Sequence, residues 1–341
     1  MFNKKILFIF ILFLLLLSVL LSFWMGQYPI TSKEYLDVIY YWLGINQSEE
    51  IYKTSESISM LLQEVRLPRI LAAILVGASL SVSGVVFQGM FVNPLVSPSI
   101  LGVLSGASFG AALGMVLGES LLFIQFTAFL FGFIAVFLAM IIGKTYANSN
   151  GLLMLVLGGI ISSSLFGAFL SLVKYVADPY NTLPSIVYWL MGSLSSVTLD
   201  TVGLIFPWIL ISMAILIFFG KQLNLMSLGE DDALALGVDV KKIRFLMIIL
   251  ATLLSTLSVM IAGIIGWVGL VIPHIARFII GSNHITLIPF SAILGATFLV
   301  IVDTLSRNIS QIEIPLGIIT SLVGIPVFVF VLRHNLKRNE G

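Results

Sequence analysis

Few side chains in this chain could do chemistry, and most of those are poorly arranged for it. The stretch IIGKT (141–145) ends like a phosphate loop, but the glycine required five positions before Gly143 is Leu138, in an apolar run with no strand before it. If ATP powers this protein, another chain hydrolyses it. Ser81, Ser83 and Ser105 have no in-span His or Lys to activate them, so they read as small packing residues rather than nucleophiles. His274, His284 and His334 are too dispersed for a metal site and read as structural residues. The absence of cysteine removes thiolate ligands and Cys nucleophiles together. No catalytic residue and no metal ligand is expected.

Two features remain. Arg66 and Arg69 open RLPRILAAILVGASLSVSGVVFQGMFVNPLVSPSILG (66–102), a run with no further charge until Glu119, and Arg307 lies near the other end in DTLSR. Their positive charge suits an acidic partner; the alternative is that they snorkel as membrane anchors. The second feature is SLGEDDALALGVDVKKIR (227–244). Ser227 with Glu230 three residues later has the form of a capping box, acids crowd the first turn, and Gly237 supplies a stop, which predicts a helix of about two turns. Such a helix is too short to stand alone in water. It either packs on its own chain or docks into a partner.

The elements that must hold these residues follow from composition. Of 341 residues, 59% are hydrophobic and only 10% charged, which is outside the soluble range and marks an integral membrane protein. We read one membrane domain, residues 1–341. Lys4 and Lys5 precede an apolar run over 6–25, long enough for a ~30 Å hydrocarbon core and without a signal-type cleavage pattern, so it reads as a first helix. Residues 70–118 hold two spans folded at Asn93–Ser99, where Pro94 and Pro98 break the helix. Single spans are expected near 120–143, 152–173 and 201–220. The run 245–280 is divided by Gly263, Gly266, Gly269 and Pro273, and the last two spans lie near 286–302 and 315–332. The expected fold is all-α and polytopic, with about ten spans and both termini on one side.

Placing the termini inside puts most of the 17 Lys and Arg inside (Lys4, Lys5, Lys144, Lys221, Lys241, Lys242, Arg244, Arg277, Arg333, Lys337 and Arg338) and leaves Lys33, Lys53, Arg66, Arg69, Lys174 and Arg307 outside. The outer segment 27–64 is otherwise acidic, with Glu34, Asp37, Glu49, Glu50, Glu56 and Glu64. The spans are nearly free of ionisable groups, Asp303 lying at a span end, so a proton-coupled mechanism lacks its carrier. Gly102, Gly106, Gly110, Gly114 and Gly118 fall every fourth residue along the third span and predict a close helix contact, a substrate path being the alternative.

RLPRILAAILVGASLSVSGVVFQGMFVNPLVSPSILGVLSGASFGA, LGEDDALALGVDV, GIIGWVGLVIPHIAR, and DTLSR followed by EIPLGIITSLVGIPVF resemble, in order and over nearly the whole chain, the FecCD-type permeases, membrane subunits of ABC importers for iron-siderophore, haem and cobalamin. The resemblance implies a ten-helix subunit in the cytoplasmic membrane that pairs with a second permease copy, identical or not. It implies two ATPase subunits that bind ATP and Mg, and an external solute-binding protein. It also implies that Arg66, Arg69 and Arg307 face glutamates of the binding protein. The segment matching the coupling helix to the ATPase holds Leu228, Gly229, Glu230, Asp231, Ala233, Leu236, Gly237 and Val238. Iron(III)-siderophore is the expected cargo, with haem or cobalamin as alternatives; an ion-coupled carrier with a site at the broken helix is the competing class.

Overall fold

The computed structural model describes residues 3–45, 48–118, 120–145 and 151–339. Fifteen α-helices follow one another, and no strand occurs among the described residues: α1 Lys4–Trp24, α2 Ser32–Trp42, α3 Glu49–Met60, α4 Leu67–Met90, α5 Val103–Val116, α6 Leu121–Thr145, α7 Gly151–Val176, α8 Thr182–Leu190, α9 Leu199–Phe218, α10 Gly220–Met226, α11 Glu230–Ala235, α12 Val240–Ala262, α13 Val268–Ile280, α14 His284–Asn308 and α15 Leu316–Asn339. Among the described residues, seven helical runs are long and apolar enough to cross a membrane, and three shorter apolar helices accompany them (Val103–Val116, Val268–Ile280 and Leu316–Val329). Together they match the expected spans, with the folds at 91–102 and 263–267 where the prolines and glycines put them.

The centre is α4. Twenty of its residues from Pro68 to Met90 are buried, including Ser79, Ser81, Ser83 and Gln88, as expected of a helix enclosed by others. Backbone-to-backbone approach makes this possible. A Cβ on Gly77 would collide with the Gly295 carbonyl of α14, and one on Gly84 with the Gly269 carbonyl of α13. Around the other flank, Ser83 Oγ donates to the Ala251 carbonyl at 2.8 Å, joining α4 to α12. Without a hydrophobic drive between helices in lipid, close packing and such hydrogen bonds hold the bundle together.

Sequence reasoning left the segment 27–64 blank, and the structure fills it with helices. α2 begins in a full capping box, Thr31 and Glu34 bonding each other's backbone, and these bonds from Thr31 hold the Glu34 carboxyl below the usual carboxylate range. α3 then runs on into α4 through a π-helical stretch, Leu61–Arg66. Pro68 explains that widening: it has no N–H to offer the Glu64 carbonyl, and its ring crowds the preceding turn. The π-stretch ends on Arg66.

Candidate functional site: the arginine end and the coupling end

At one end of the bundle the tip of α1, the start of α4, the end of α14 and the loop before α15 converge on the three arginines. None of them is presented to solvent. Arg66, Arg69 and Arg307 are 3%, 4% and 6% exposed in this chain, each engaged by its own chain. Arg66 donates to the carbonyls of Phe23 and, at 2.6 Å, Tyr28, and to the Tyr35 hydroxyl at 2.9 Å. That hydroxyl in turn donates to the Phe23 carbonyl, and burial raises the Tyr35 phenol, keeping its proton in place. Arg66 therefore pins α2 and the α1–α2 turn to the start of α4.

Arg69 is the hub of an ion cluster. Its Nε donates to Asp303 Oδ1 at 2.8 Å, and its two terminal nitrogens grip both oxygens of Glu313 at 2.7 and 2.9 Å. Arg307 Nη2 donates to Ser22 Oγ at 2.7 Å, while its Nε lies 3.2 Å from Asp303 Oδ2 without hydrogen-bond alignment. Asp303 is wholly buried between the two guanidinium groups. A fork-to-fork Arg–carboxylate pair fixes geometry as well as charge, so the cluster ties α1, α4, α14 and the 309–315 loop into one rim. Burial of a charge is tolerable only with partners, which is the physical reason these arginines turn inward. Sequence reasoning noted Asp303 only as an acid at a span end and passed over Glu313; the i,i+4 spacing of Asp303 and Arg307 was the available signal for a pair.

At the opposite end lies the segment 228–238, which the resemblance marks as the coupling segment. The expected capping box does not form. Ser227 instead closes α10, its hydroxyl donating to the Leu223 carbonyl at 2.8 Å, and the N-cap of α11 is Gly229 with no side-chain cap. The predicted stop is present: Gly237 has φ +82°, its N–H meets the Leu234 carbonyl and that of Val238 the Ala233 carbonyl, the pairing of a Schellman motif. Glu230 is held by Arg244 of α12 through bonds of 3.3 and 3.0 Å. Asp239 caps α12, and hydrogen bonds from Lys242 keep its carboxyl below the usual range. Ala233 and Val238 are buried on the chain itself, whereas Leu228, Leu234 and Leu236 are 63%, 54% and 59% exposed. The segment is thus anchored on one face and bare on the other.

The glycine row divides by function. A Cβ on Gly106 would strike the Phe131 carbonyl, one on Gly110 the Thr127 carbonyl, and one on Gly114 Thr127 Oγ1 at 2.8 Å, so these three seat α5 against α6. Gly102 has φ +85° and starts α5 beside Ser162 and Ser163 of α7; Gly118 has φ +70° with nothing near it. Both serve turns rather than the contact.

A third feature was only partly legible. The α12–α13 break exposes backbone in the interior, and Trp267 adopts φ +69° there. One of its carbonyls is met by a neighbouring turn, Ser193 N–H donating to the Ala262 carbonyl, and that turn is tied in its own right to the start of α15, Leu316 N–H donating to the Gly192 carbonyl and Gly317 N–H to that of Met191. A cavity of about 480 Å³ opens beside this junction, lined by Leu190, Met191, Ile264, Trp267, Ile318 and Leu322 among others, with no charged side chain among the described residues. Of the three histidines, His274 and His284 lie buried at the coupling half, His284 Nδ1 2.8 Å from Asn224 Oδ1; the His334 side chain lies outside the described residues.

A bundle of apolar helices with a buried ion-paired rim at one end and a half-bare amphipathic segment at the other has the build of a transport subunit that works with other chains. The FecCD transport family model matches residues 14–334, and the chain belongs to that family. It is 42% identical over 275 residues to a molybdate import system permease protein of Haemophilus influenzae, covering 81% of each chain. To a Helicobacter pylori protein named a probable iron chelatin transport system permease protein it is 37% identical over 276 residues, covering 81% of this chain and 83% of the other. A solved metal-chelate type ABC transporter in an inward-facing conformation superposes with a TM-score of 0.85 at 38% identity, covering 97% of this chain and 100% of that one. The protein is a permease subunit of an ABC importer, a multi-pass protein of the cytoplasmic membrane.

Proposed function

We propose that this subunit carries an iron(III)-siderophore complex inward, fed by an external solute-binding protein and driven by two ATPase subunits that hold ATP and Mg, with a second permease copy, identical or related, completing the path. The observation that carries the energy-coupling half is the α11 segment: a short helix anchored by Ala233, Val238 and the Glu230–Arg244 pair that leaves Leu228, Leu234 and Leu236 bare. Apolar side chains on a polar surface segment suit the pocket of a partner. The cargo half rests on an iron-chelate relative and on the uncharged cavity at the α12–α13 break, which suits a complex wrapped in an organic shell.

Molybdate is the second reading, favoured by the 42% identical relative. A bare oxyanion wants cationic or N–H donors along its way, and the cavity at the break has no cationic side chain among the described residues. Haem and cobalamin stay as further chelate alternatives. Reconstitution with the partner subunits separates these: ATP-dependent, vanadate-sensitive uptake of a radioiron siderophore is expected, whereas uptake of molybdate alone overturns the cargo assignment, and uptake driven by an ion gradient without ATP overturns the mechanism. Leu234→Asp with Leu236→Asp should leave the fold intact and lose most ATPase co-purification. Full retention of the ATPase would remove α11 from its proposed role.

A further inference from the structure

The arginine end of the bundle carries two further cavities, set between α6, α8, α9 and α12, the first of them reaching the α12–α13 break at Ala262 and Gly263. One, of about 480 Å³, is lined by Met115, Pro184, Tyr188 and Trp189 and by the serines at 185, 193, 195 and 196. The other, of about 410 Å³, is apolar, with Leu122, Phe126, Phe129, Leu204, Trp208 and Leu257 on its wall. Gln125 and Met260 line both.

Gln125 is the informative residue. It lies one turn into α6, is 4% exposed, and its amide oxygen Oε1 has no hydrogen-bond partner among the described residues. An amide oxygen at membrane depth without a donor is costly, and this one sits where a polar chamber meets an apolar one. We propose that the two chambers form one binding site for a membrane lipid, its acyl chain in the apolar chamber and a hydroxyl-bearing headgroup in the other, donating a hydrogen bond to Gln125 Oε1. The size is that of a small-ligand pocket, about 300–1,000 Å³.

The headgroup chemistry follows from the lining. Among the described residues, no Lys, Arg, Asp or Glu faces the polar chamber, so neither a phosphate nor an ammonium finds a counter-charge from them; the amide, the serine hydroxyls and the tyrosine exchange hydrogen bonds with neutral hydroxyls. The occupant's source follows from the outer wall. Along α6 the exposed residues include Leu122, Phe126, Leu130, Ile134, Phe137 and Ile141, a stripe of large side chains for the length of a span. Helix–helix contacts in membranes favour small residues, as α5 shows with Gly106, Gly110 and Gly114. The α6 stripe is a lipid face, and the cavity opens through it.

The full chain, purified with its accompanying subunits, is to be examined by native mass spectrometry with a glucosyl diacylglycerol and with phosphatidylcholine of the same acyl chains. Both probes are electrically neutral overall, and only the first carries headgroup hydroxyls. The wild type should retain the glucosyl lipid about fivefold better, as one hydrogen bond gives. Gln125→Leu should abolish that preference while keeping phosphatidylcholine. Leu257→Trp should fill the apolar chamber and lower retention of both. A photoreactive acyl chain should label α6 or α9. Equal retention of the two lipids by the wild type marks ordinary lipid contact or a water on Gln125 and overturns the proposal. So does unchanged selectivity in Gln125→Leu, or labelling that vanishes because a second permease copy covers the face.

Discussion

Arg69, Asp303, Arg307 and Glu313 show what a positive charge at the edge of a membrane span is for. Charge counting sets these arginines on the outer side, against the usual bias, and burial then explains them: each is spent on its own chain, and the cluster closes α1, α4, α14 and the 309–315 loop into one rim. The residue types and their place at a span edge were legible in the sequence. The direction of the side chains was not, because it depends on a carboxylate 234 positions away in the chain from Arg69 and on Ser22 at the tip of another helix. Removing one member of a buried pair leaves a charge stranded, at a cost of about 3–5 kcal/mol. Asp303→Asn should therefore lower the unfolding midpoint in detergent sharply, while Glu313→Gln, whose side chain keeps 24% of its exposure, should cost much less. Arg69→Glu should be worst, adding a third carboxylate beside two. A triple Arg→Glu variant that inserts and melts like wild type would contradict the cluster's structural role and return these arginines to a surface one.

Among the elements, α5 and α11 show two ways in which short helices are positioned. α5 has no marked polar face, and its spacing of glycines by four was the sequence signal; three of the five sit against α6 where a side chain has no room. The outer two resolved into turns with positive φ, because every-fourth spacing continues past the helix ends at 103 and 116. Overpacking of this kind costs about 1–3 kcal/mol, so Gly110→Leu should destabilise the bundle by that order. Gly167→Leu in α7, where nothing lies within 4 Å, is the control and should change little. Equal melting of the two variants would argue against a close α5–α6 seam. α11, in contrast, has the acids and the terminal glycine that its sequence announced, but Ser227 belongs to α10. A serine followed by Glu three residues later fits a cap equally well on paper; the choice is made by the Leu223 carbonyl, which the hydroxyl reaches first along its own helix.

For the whole molecule, the ion-paired rim and the coupling segment lie at opposite ends of α4, α12 and α14. Arg69 stands at the start of α4 against the end of α14, whereas Gly89, near the end of α4, abuts His284 and Leu223 beside the coupling segment. The basic residues that sequence counting placed inside gather toward the second end, with Lys241, Lys242 and Arg244 opening α12. A chain without cysteine lets this orientation be read directly, since every thiol present is one introduced. Tyr180 and Ile312, 87% and 81% exposed, belong to loops at the rim end, and Leu228 and Leu234 to the coupling end. Tyr180→Cys and Ile312→Cys should react in intact cells with a maleimide that cannot cross the membrane. Leu228→Cys and Leu234→Cys should stay silent until the membrane is opened or inverted, and should then be protected again by added ATPase subunit if the bare leucines are its seat. Labelling of Leu234→Cys in sealed cells would invert the molecule, placing the coupling segment outside, where no ATP-driven partner could reach it. Labelling from the inside with no protection would keep the orientation and move the ATPase contact elsewhere.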